Sequence, residues 1–248
     1  MSHTVDALLG GRLKFRQPRR GFRVTIDAPA LVFAALLQNL RPHGNLLDAG
    51  CGVGSCGLAY VLHQPGWSLS GLELQDELVQ LARESARQSA IAGAEFIAGD
   101  LRDPSAAPGP FDLILCNPPY FDPARNSLSP HAGKNLAKFE IALLLAELNA
   151  LLAPRLAPEG RAFIILPWEK REKVARGPLF VRSLRPVAHA PASPPGKAIV
   201  ELRATTGPCE ELPPLILFRD AAKKIYSPIF GKFLAGGMLP QPVNLSLS

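Results

Sequence analysis

From Asn45 onward short apolar runs alternate with amphipathic stretches, and the first run empties into a glycine-rich turn, Asp48-Ala49-Gly50-Cys51-Gly52-Val53-Gly54-Ser55-Cys56-Gly57. That alternation constrains the fold more than any other feature. The runs 45–48, 68–73, 94–98, 111–116 and 161–166 have the length of short strands and read as such. Helical patterns fall near 57–63, 76–92, 135–152 and 168–176, and further strands near 180–187, 197–203 and 215–218. Strands alternating with helices predict a doubly wound α/β sheet, with ligands at the carboxyl ends of its strands.

The turn after the first strand formally matches G-x-G-x-x-G over Gly52–Gly57. Alone, the match fits a nicotinamide site, a flavin site or only a tight strand–helix turn. Two neighbours narrow the choice. Asp48 stands at the strand end before the first glycine, where a carboxylate repels a pyrophosphate but suits a cationic ligand with a free amino group. S-adenosylmethionine, a sulfonium with an ammonium, is such a ligand. The next strand ends in Glu73, placed to accept from two ribose hydroxyls. Asp100 follows the third strand, where an adenine amino group would sit. From local sequence a turn cap explains Asp100 equally well.

The fourth strand, Phe111–Cys116, runs into Asn117-Pro118-Pro119-Tyr120. Neither proline can continue a ladder, so the strand stops and presents an amide side chain at its mouth. The Asn117 oxygen and the Pro118 carbonyl can both accept from a planar NH2 group. Tyr120 can stack on the ring that bears it, and Phe121 is either a second apolar wall or core packing.

The chain has 248 residues, 47% hydrophobic and 19% charged, enough for one sizeable core. The expected organisation is a single domain: an N-terminal hairpin and helix over 1–44, an α/β core over 45–233 and a loose tail over 234–248. No run has the length of a membrane span, and residues 1–6 lack a signal peptide's layout. Cys51, Cys56, Cys116 and Cys209 show no metal-ligand spacing and read as reduced thiols. A cytoplasmic protein without metal is the expectation.

The formal charge is +6. Arg12, Lys14, Arg16, Arg19, Arg20 and Arg23 crowd the first segment, where Asp6 is the single acid. Of these, Arg16, Arg19, Arg20 and Arg23 are candidate phosphate contacts. A later group, Lys170 to Arg185, is diluted by Glu169 and Glu172 and reads as a solvated face. Alternation over 11–17 and 22–26, with a Pro18-Arg19-Arg20-Gly21 turn, predicts a β-hairpin with Leu13, Phe15, Phe22, Val24 and Ile26 inward. Asp27 is then expected to cap a helix reaching about Leu40, with Pro29 in its first turn.

Together, Asp48 to Gly54, Glu73, Asp100 and Asn117-Pro-Pro-Tyr120 resemble S-adenosylmethionine-dependent methyltransferases of amino groups, which act on adenine N6, cytosine N4 or glutamine N5. A narrower resemblance rests on Asp6-Ala-Leu-Leu-Gly-Gly-Arg-Leu13, Gln17-Pro, Gly21-Phe-Arg-Val-Thr-Ile-Asp27, Asn117 to Phe121 and Tyr226-Ser-Pro. These residues look like the bacterial valine-tRNA (adenine-N6) methyltransferases, although Ala137-Lys138-Phe139-Glu140 stands where that family has Ala-Arg-His-Glu. The resemblance implies a Rossmann-like sheet of seven strands with the last antiparallel. It also implies that Asp27 and its helix close over the cofactor, with Gly50, Gly52 and Gly54 beneath it. The substrate it implies is an adenine of tRNA near the anticodon. Glutamine-N5 methyltransferases usually carry a helical recognition domain ahead of the glycine motif, whereas a hairpin and one helix precede Asn45 here. A non-catalytic cofactor- or RNA-binding module and a dehydrogenase are the remaining alternatives.

Overall fold

The computed structural model describes residues 3–19, 23–38, 41–118 and 147–237. Its body is one sheet in the order β5-β4-β3-β6-β7-β9-β8, widened at the β8 edge by the two-residue strands β10 (Glu210–Glu211) and β11 (Leu215–Ile216). The strands are β3 (Gly44–Ala49), β4 (Trp67–Glu73), β5 (Ala94–Ala98), β6 (Phe111–Cys116), β7 (Leu156–Pro167), β8 (Phe180–Ala188) and β9 (Pro195–Arg203). All run parallel except β9, which is antiparallel to both β7 and β8. The seven-strand body and its antiparallel last strand are as expected.

Each central strand is apolar on both faces because both are covered. Leu46, Leu113 and Leu115 face a core built with α1 (Asp27–Leu36), α2 (Ser55–His63) and α3 (Asp76–Gln88). Leu47, Ala49, Ile114 and Cys116 face a second core with Leu148 and Leu152 from helical residues 147–152. Helix α3 is shorter than its expected end at Ala92. The Ile91 N–H turns back to the Ala86 carbonyl and the Ala90 N–H to that of Arg87, a Schellman turn with Ala90 at φ 52°. The expected helix over 168–176 is a run of 3-10 turns, Trp168–Ala175. The expected strand 215–218 splits: β11 pairs with β8, whereas β12 (Phe218–Asp220) pairs with β13 (Ile225–Tyr226).

The N-terminal hairpin is not the one expected. Strand β1 (His3–Leu8) pairs with β2 (Leu13–Pro18), joined by a tight turn over Leu9–Gly11. Residues 23–25 form no strand. Proline 18 cannot donate to a ladder, and the Gln17 side chain takes over: its Oε1 accepts the Val24 N–H at 2.8 Å while its Nε2 donates to Asp6 at 2.8 Å. Leu13 and Phe15 are buried as expected, Val24 and Ile26 only partly, and Phe22 lies outside the described residues.

The two ends of the described chain interlock. The Arg12 guanidinium donates to the carbonyls of Gly236 and Leu62. A Cβ on Gly10 would lie 2.4 Å from the Ala235 carbonyl oxygen, and one on Gly236 would lie 2.5 Å from that of Leu9. Both have left-handed φ, +63° and +80°. Residues 234–237, expected to be loose, therefore close helix α4 (Pro228–Leu234) against the hairpin; residues 238–248 lie outside the description. Gly10→Ala is expected to destabilise the protein by about 2–4 kcal/mol, combining backbone strain with an inescapable clash. Gly11→Ala has left-handed φ but open space and should cost only about 1 kcal/mol. Denaturant melts of the two variants check this; equal losses would mean that the close approach is unimportant.

Candidate functional site

Strand β3 lies between β4 and β6, so its carboxyl end is the centre of the sheet's mouth. The glycine turn leaves there and folds onto β4: the Gly50 and Cys51 N–H groups both donate to the Leu72 carbonyl, at 2.8 and 3.0 Å. Two carboxylates then hold the turn from opposite sides. Asp48 accepts the Gly57 N–H at 2.7 Å. Glu73 accepts the Gly52 N–H through one oxygen and the Gln75 N–H through the other, both at 3.0 Å. Gly57 is small for a packing reason, since a Cβ there would meet Leu69 Cδ1 at 2.4 Å.

These carboxylates are deeply placed: Asp48 is 1% and Glu73 9% exposed. Burial first, then the charge of Glu73, pushes the Asp48 carboxyl up to about 7, although the Gly57 N–H pulls the other way. Among the described residues neither carboxylate has a cationic partner. Uncompensated buried carboxylates beside an open turn form a site suited to a cation. Among the described residues the turn is open on that side, because a Cβ on Gly50 or Gly52 would meet none of their heavy atoms within 4 Å. Gly50, Gly52 and Gly54 all have left-handed φ, so their backbone can present this surface where other residues would be strained. The residues present therefore fit a ligand carrying ammonium, sulfonium and ribose hydroxyls.

Leu74, next after Glu73, is 65% exposed and leaves an apolar surface beside that carboxylate. The sequence reading missed it, although an apolar residue directly after an acid at a strand end was a visible signal. Asp100 sits on the same edge after β5. Its carboxylate accepts the Arg102 N–H at 2.8 Å and forks onto the Arg102 guanidinium, which holds it below the usual carboxylate range. It caps the turn at this edge.

Asn117 and the buried Pro118 follow β6. Ala49 and Cys116 are Cα partners in the sheet, so Gly50 and Asn117 leave neighbouring strands at the same level. Tyr120 and Phe121 lie outside the described residues.

Asp27 opens α1 but does not cap it; Ile26 is the cap residue and makes no side-chain cap bond. The Asp27 carboxylate instead pairs with Lys197 of β9 at 3.0 Å. It lies near the glycine turn, since its charge acts on the buried Cys56 thiol at the start of α2, which burial above all pushes up. Cys51 and Cys116 are likewise buried and shifted upward by burial, as fits inert packing thiols.

The basic hairpin divides. Arg23 is committed to the fold, donating to Asp6, Thr4 and the Pro18 carbonyl. Arg16 lies 3.9 Å from Glu84 in an exposed pair of little energetic weight. Arg19 is exposed, and Arg20 is outside the description. Among the described residues no helix is long and apolar enough to cross a membrane.

With this geometry in hand, comparison with known proteins gives a consistent picture. Residues 23–137 match the family model described as the methyltransferase small domain. A release factor glutamine methyltransferase of Vibrio cholerae is 37% identical over 123 residues, 49% of this chain and 42% of that protein. A ribosomal RNA small subunit methyltransferase C of Escherichia coli is 34% identical over 95 residues, 38% of this chain and 27% of that protein. The matches thus span less than half the length of these relatives. In structure, a predicted O-methyltransferase of Agrobacterium tumefaciens superposes with a TM-score of 0.66 at 15% identity, covering 85% of this chain and 97% of that one. Residues 23–137 are thus similar to the methyltransferase small domain, the sheet has a methyltransferase-like fold, and the cofactor implied for the site is S-adenosylmethionine.

Proposed function

We propose that this protein methylates the exocyclic N6 amine of an adenine in RNA, in a tRNA near the anticodon. The carrying observation is the placement of Asn117-Pro118 directly after β6, the strand beside the one that leads into the glycine turn, with Asn117 level with Gly50. Bound S-adenosylmethionine supplies an electrophilic methyl group. Asp48, Glu73 and the Gly50–Gly54 backbone hold it, with Leu74 against its ring, Asp100 at the adenine end and Asp27 on the α1 side.

An adenine amine is a poor nucleophile because its lone pair is delocalised into the ring. In this reading its two N–H groups donate to Asn117 Oδ1 and the Pro118 carbonyl. Those bonds pyramidalise the nitrogen and aim its lone pair toward the cofactor side of the mouth. Tyr120 and Phe121 hold the turned-out base by stacking. Positioning and polarisation supply the rate without a strong base, and the methylated nitrogen gives up its extra proton to water after the transfer. Residues 1–44 act with the core as one unit, a reading supported by the lock between Gly10 and Gly236.

RNA as substrate is supported by the net charge of +6, the exposed Arg16 and Arg19, and the ribosomal RNA methyltransferase relative. A second reading, transfer to the amide nitrogen of a protein glutamine, is favoured by the release factor glutamine methyltransferase relative. Labelled methyl transfer to unmodified tRNA and, separately, to a release factor decides between them. N6-methyladenosine in the tRNA digest is the expected result; label in the release factor and none in RNA would replace the first reading with the second.

The hairpin arginines give a narrower test. Neutralising Arg16 and Arg19 to Gln is expected to reduce the slope of log affinity for RNA against log salt by about 1–2. Arg23→Gln should instead lower thermal stability, because it unties Asp6 and Pro18. An unchanged salt slope in the double variant would remove these two arginines from the RNA surface.

A further inference from the structure

Strands β7, β9 and β8 rise above the mouth of the site. Cys116 is level with Ile164, and β7 continues to Pro167, which is level with Lys197 of β9 and through it with Val187 of β8. The hairpin β12–β13 hangs from the top of this wall. The Leu217 N–H donates to the Ala188 carbonyl and the Phe218 N–H to that of His189, both at 3.0 Å. Strand β8 ends on the same edge as β3 and β6, three strand steps from β6, or about 14 Å at the usual strand spacing.

This hairpin has the two components of a single-strand nucleic-acid surface. The first is a fixed aromatic platform. Tyr226 stacks on Phe218 with centroids 4.7 Å apart and planes 22° apart, and His189 packs against Phe218 at 4.6 Å. Phe230 meets Tyr226 edge-on at 6.0 Å. Phe218 and Phe230 are buried, yet Tyr226 stays 39% exposed, beside Ile225 at 37%. The ring is held from below and from the side with part of its surface open to solvent, so little freedom remains to be lost when a base stacks on it. The second component is charge. The hairpin carries Arg219, Lys223 and Lys224, all exposed, against the single acid Asp220, which pairs with Lys223 at 3.8 Å. Packing alone explains why Phe218 and Phe230 are aromatic. It does not explain an exposed tyrosine and isoleucine on a hairpin with three cations.

We infer that the β12–β13 hairpin is a second RNA contact, on which Tyr226 stacks an unpaired base near the target adenine while Arg219, Lys223 and Lys224 neutralise the adjoining phosphates. This inference rests on the RNA reading of the site. Aromatic rings interleaved with cations match a single strand, whose bases and phosphates alternate.

The test is binding of an unmodified tRNA transcript over a series of salt concentrations. The triple variant Arg219→Gln/Lys223→Gln/Lys224→Gln is expected to lose about tenfold in affinity, with its log–log salt slope reduced by about 2–3. Tyr226→Leu, which keeps apolar cover over Phe218, should lose about tenfold with the slope unchanged, and Tyr226→Phe should retain binding. Unchanged S-adenosylmethionine affinity in every variant shows that the fold is intact. Affinity and slope equal to wild type in the folded triple variant and in Tyr226→Leu would overturn the inference, even if RNA methylation by the wild-type protein stands. Hairpin-dependent RNA binding by a protein that methylates only a glutamine would instead overturn the substrate reading and leave this surface in place.

Discussion

Asn117→Ala is expected to slow single-turnover methyl transfer about 10²–10³-fold, the usual cost of losing one polarising contact. Affinities for RNA and cofactor should barely change. The reason lies in when the contact is made. The adenine amine is planar and uncharged in the ground state, and the N–H bond it donates to Asn117 Oδ1 strengthens as the nitrogen pyramidalises and gains positive charge. Asn117 follows β6 at the level of Gly50, directly after a strand end held on both sides by β3 and β7. Asn117→Asp keeps an acceptor but adds a charge to a mouth that already holds Asp48 and Glu73, and should also be slow. The measurement is transfer of labelled methyl to tRNA under single-turnover conditions, with a transcript carrying guanine at the target position as control. Wild-type rates in Asn117→Ala would end the proposed mechanism.

The second large effect concerns Asp48, and its two parts have opposite signs. Its folded carboxyl titrates near 7, above the ordinary value of 3.8, chiefly because it is buried. A raised folded pKa favours the folded state when the group is protonated. That contribution is complete below about pH 4 and is lost as the pH rises through about 7. Above 7 the cofactor-free protein carries a buried carboxylate with no cationic partner among the described residues. Asp48→Asn keeps an acceptor for the Gly57 N–H and removes the charge. At pH 8 it should therefore stabilise the cofactor-free protein by about 2–4 kcal/mol. The gain should shrink toward zero as the pH falls to 4. The same substitution should weaken S-adenosylmethionine binding by about 1.5–3 kcal/mol, because a charged hydrogen-bond partner is lost. Wild-type affinity should also fall between pH 8 and 6 as Asp48 takes up a proton, whereas Asp48→Asn should show a flatter profile. Calorimetry and thermal melts across this range check both halves. A variant that is stabilised at pH 8 but binds cofactor like wild type would confine Asp48 to a structural role.

Much of this was legible in the sequence, because the deciding signals were local. The strands at 94–98 and 111–116 were bounded correctly by a few apolar residues between turn formers. Asp48, the glycines, Glu73 and Asn117 stood out because each lies where an apolar run stops, and a parallel sheet gathers such stops along one edge. No knowledge of which strands pair is needed to expect them together.

What failed or was missing depends on partners distant along the chain. The first hairpin was assigned to the wrong pair of segments, because alternation marks strands without saying which one a strand meets. The Gln17 side chain, binding Asp6 and Val24, settled it. Asp27 looked like a helix cap, yet Lys197 on β9 claims its carboxylate. Arg23 looked like a phosphate contact, yet Asp6 and Pro18 occupy it. The lock of Gly10 on Ala235 and the stack of His189, Phe218 and Tyr226 join residues that no short window contains. The sequence by itself determined where strands end and which chemical groups stand at those ends, since backbone propensity and apolar periodicity act over a few residues. Only the tertiary structure decided which of the charged and aromatic side chains are occupied by the fold and which are left facing solvent, because a distant partner must first be brought within a few ångströms.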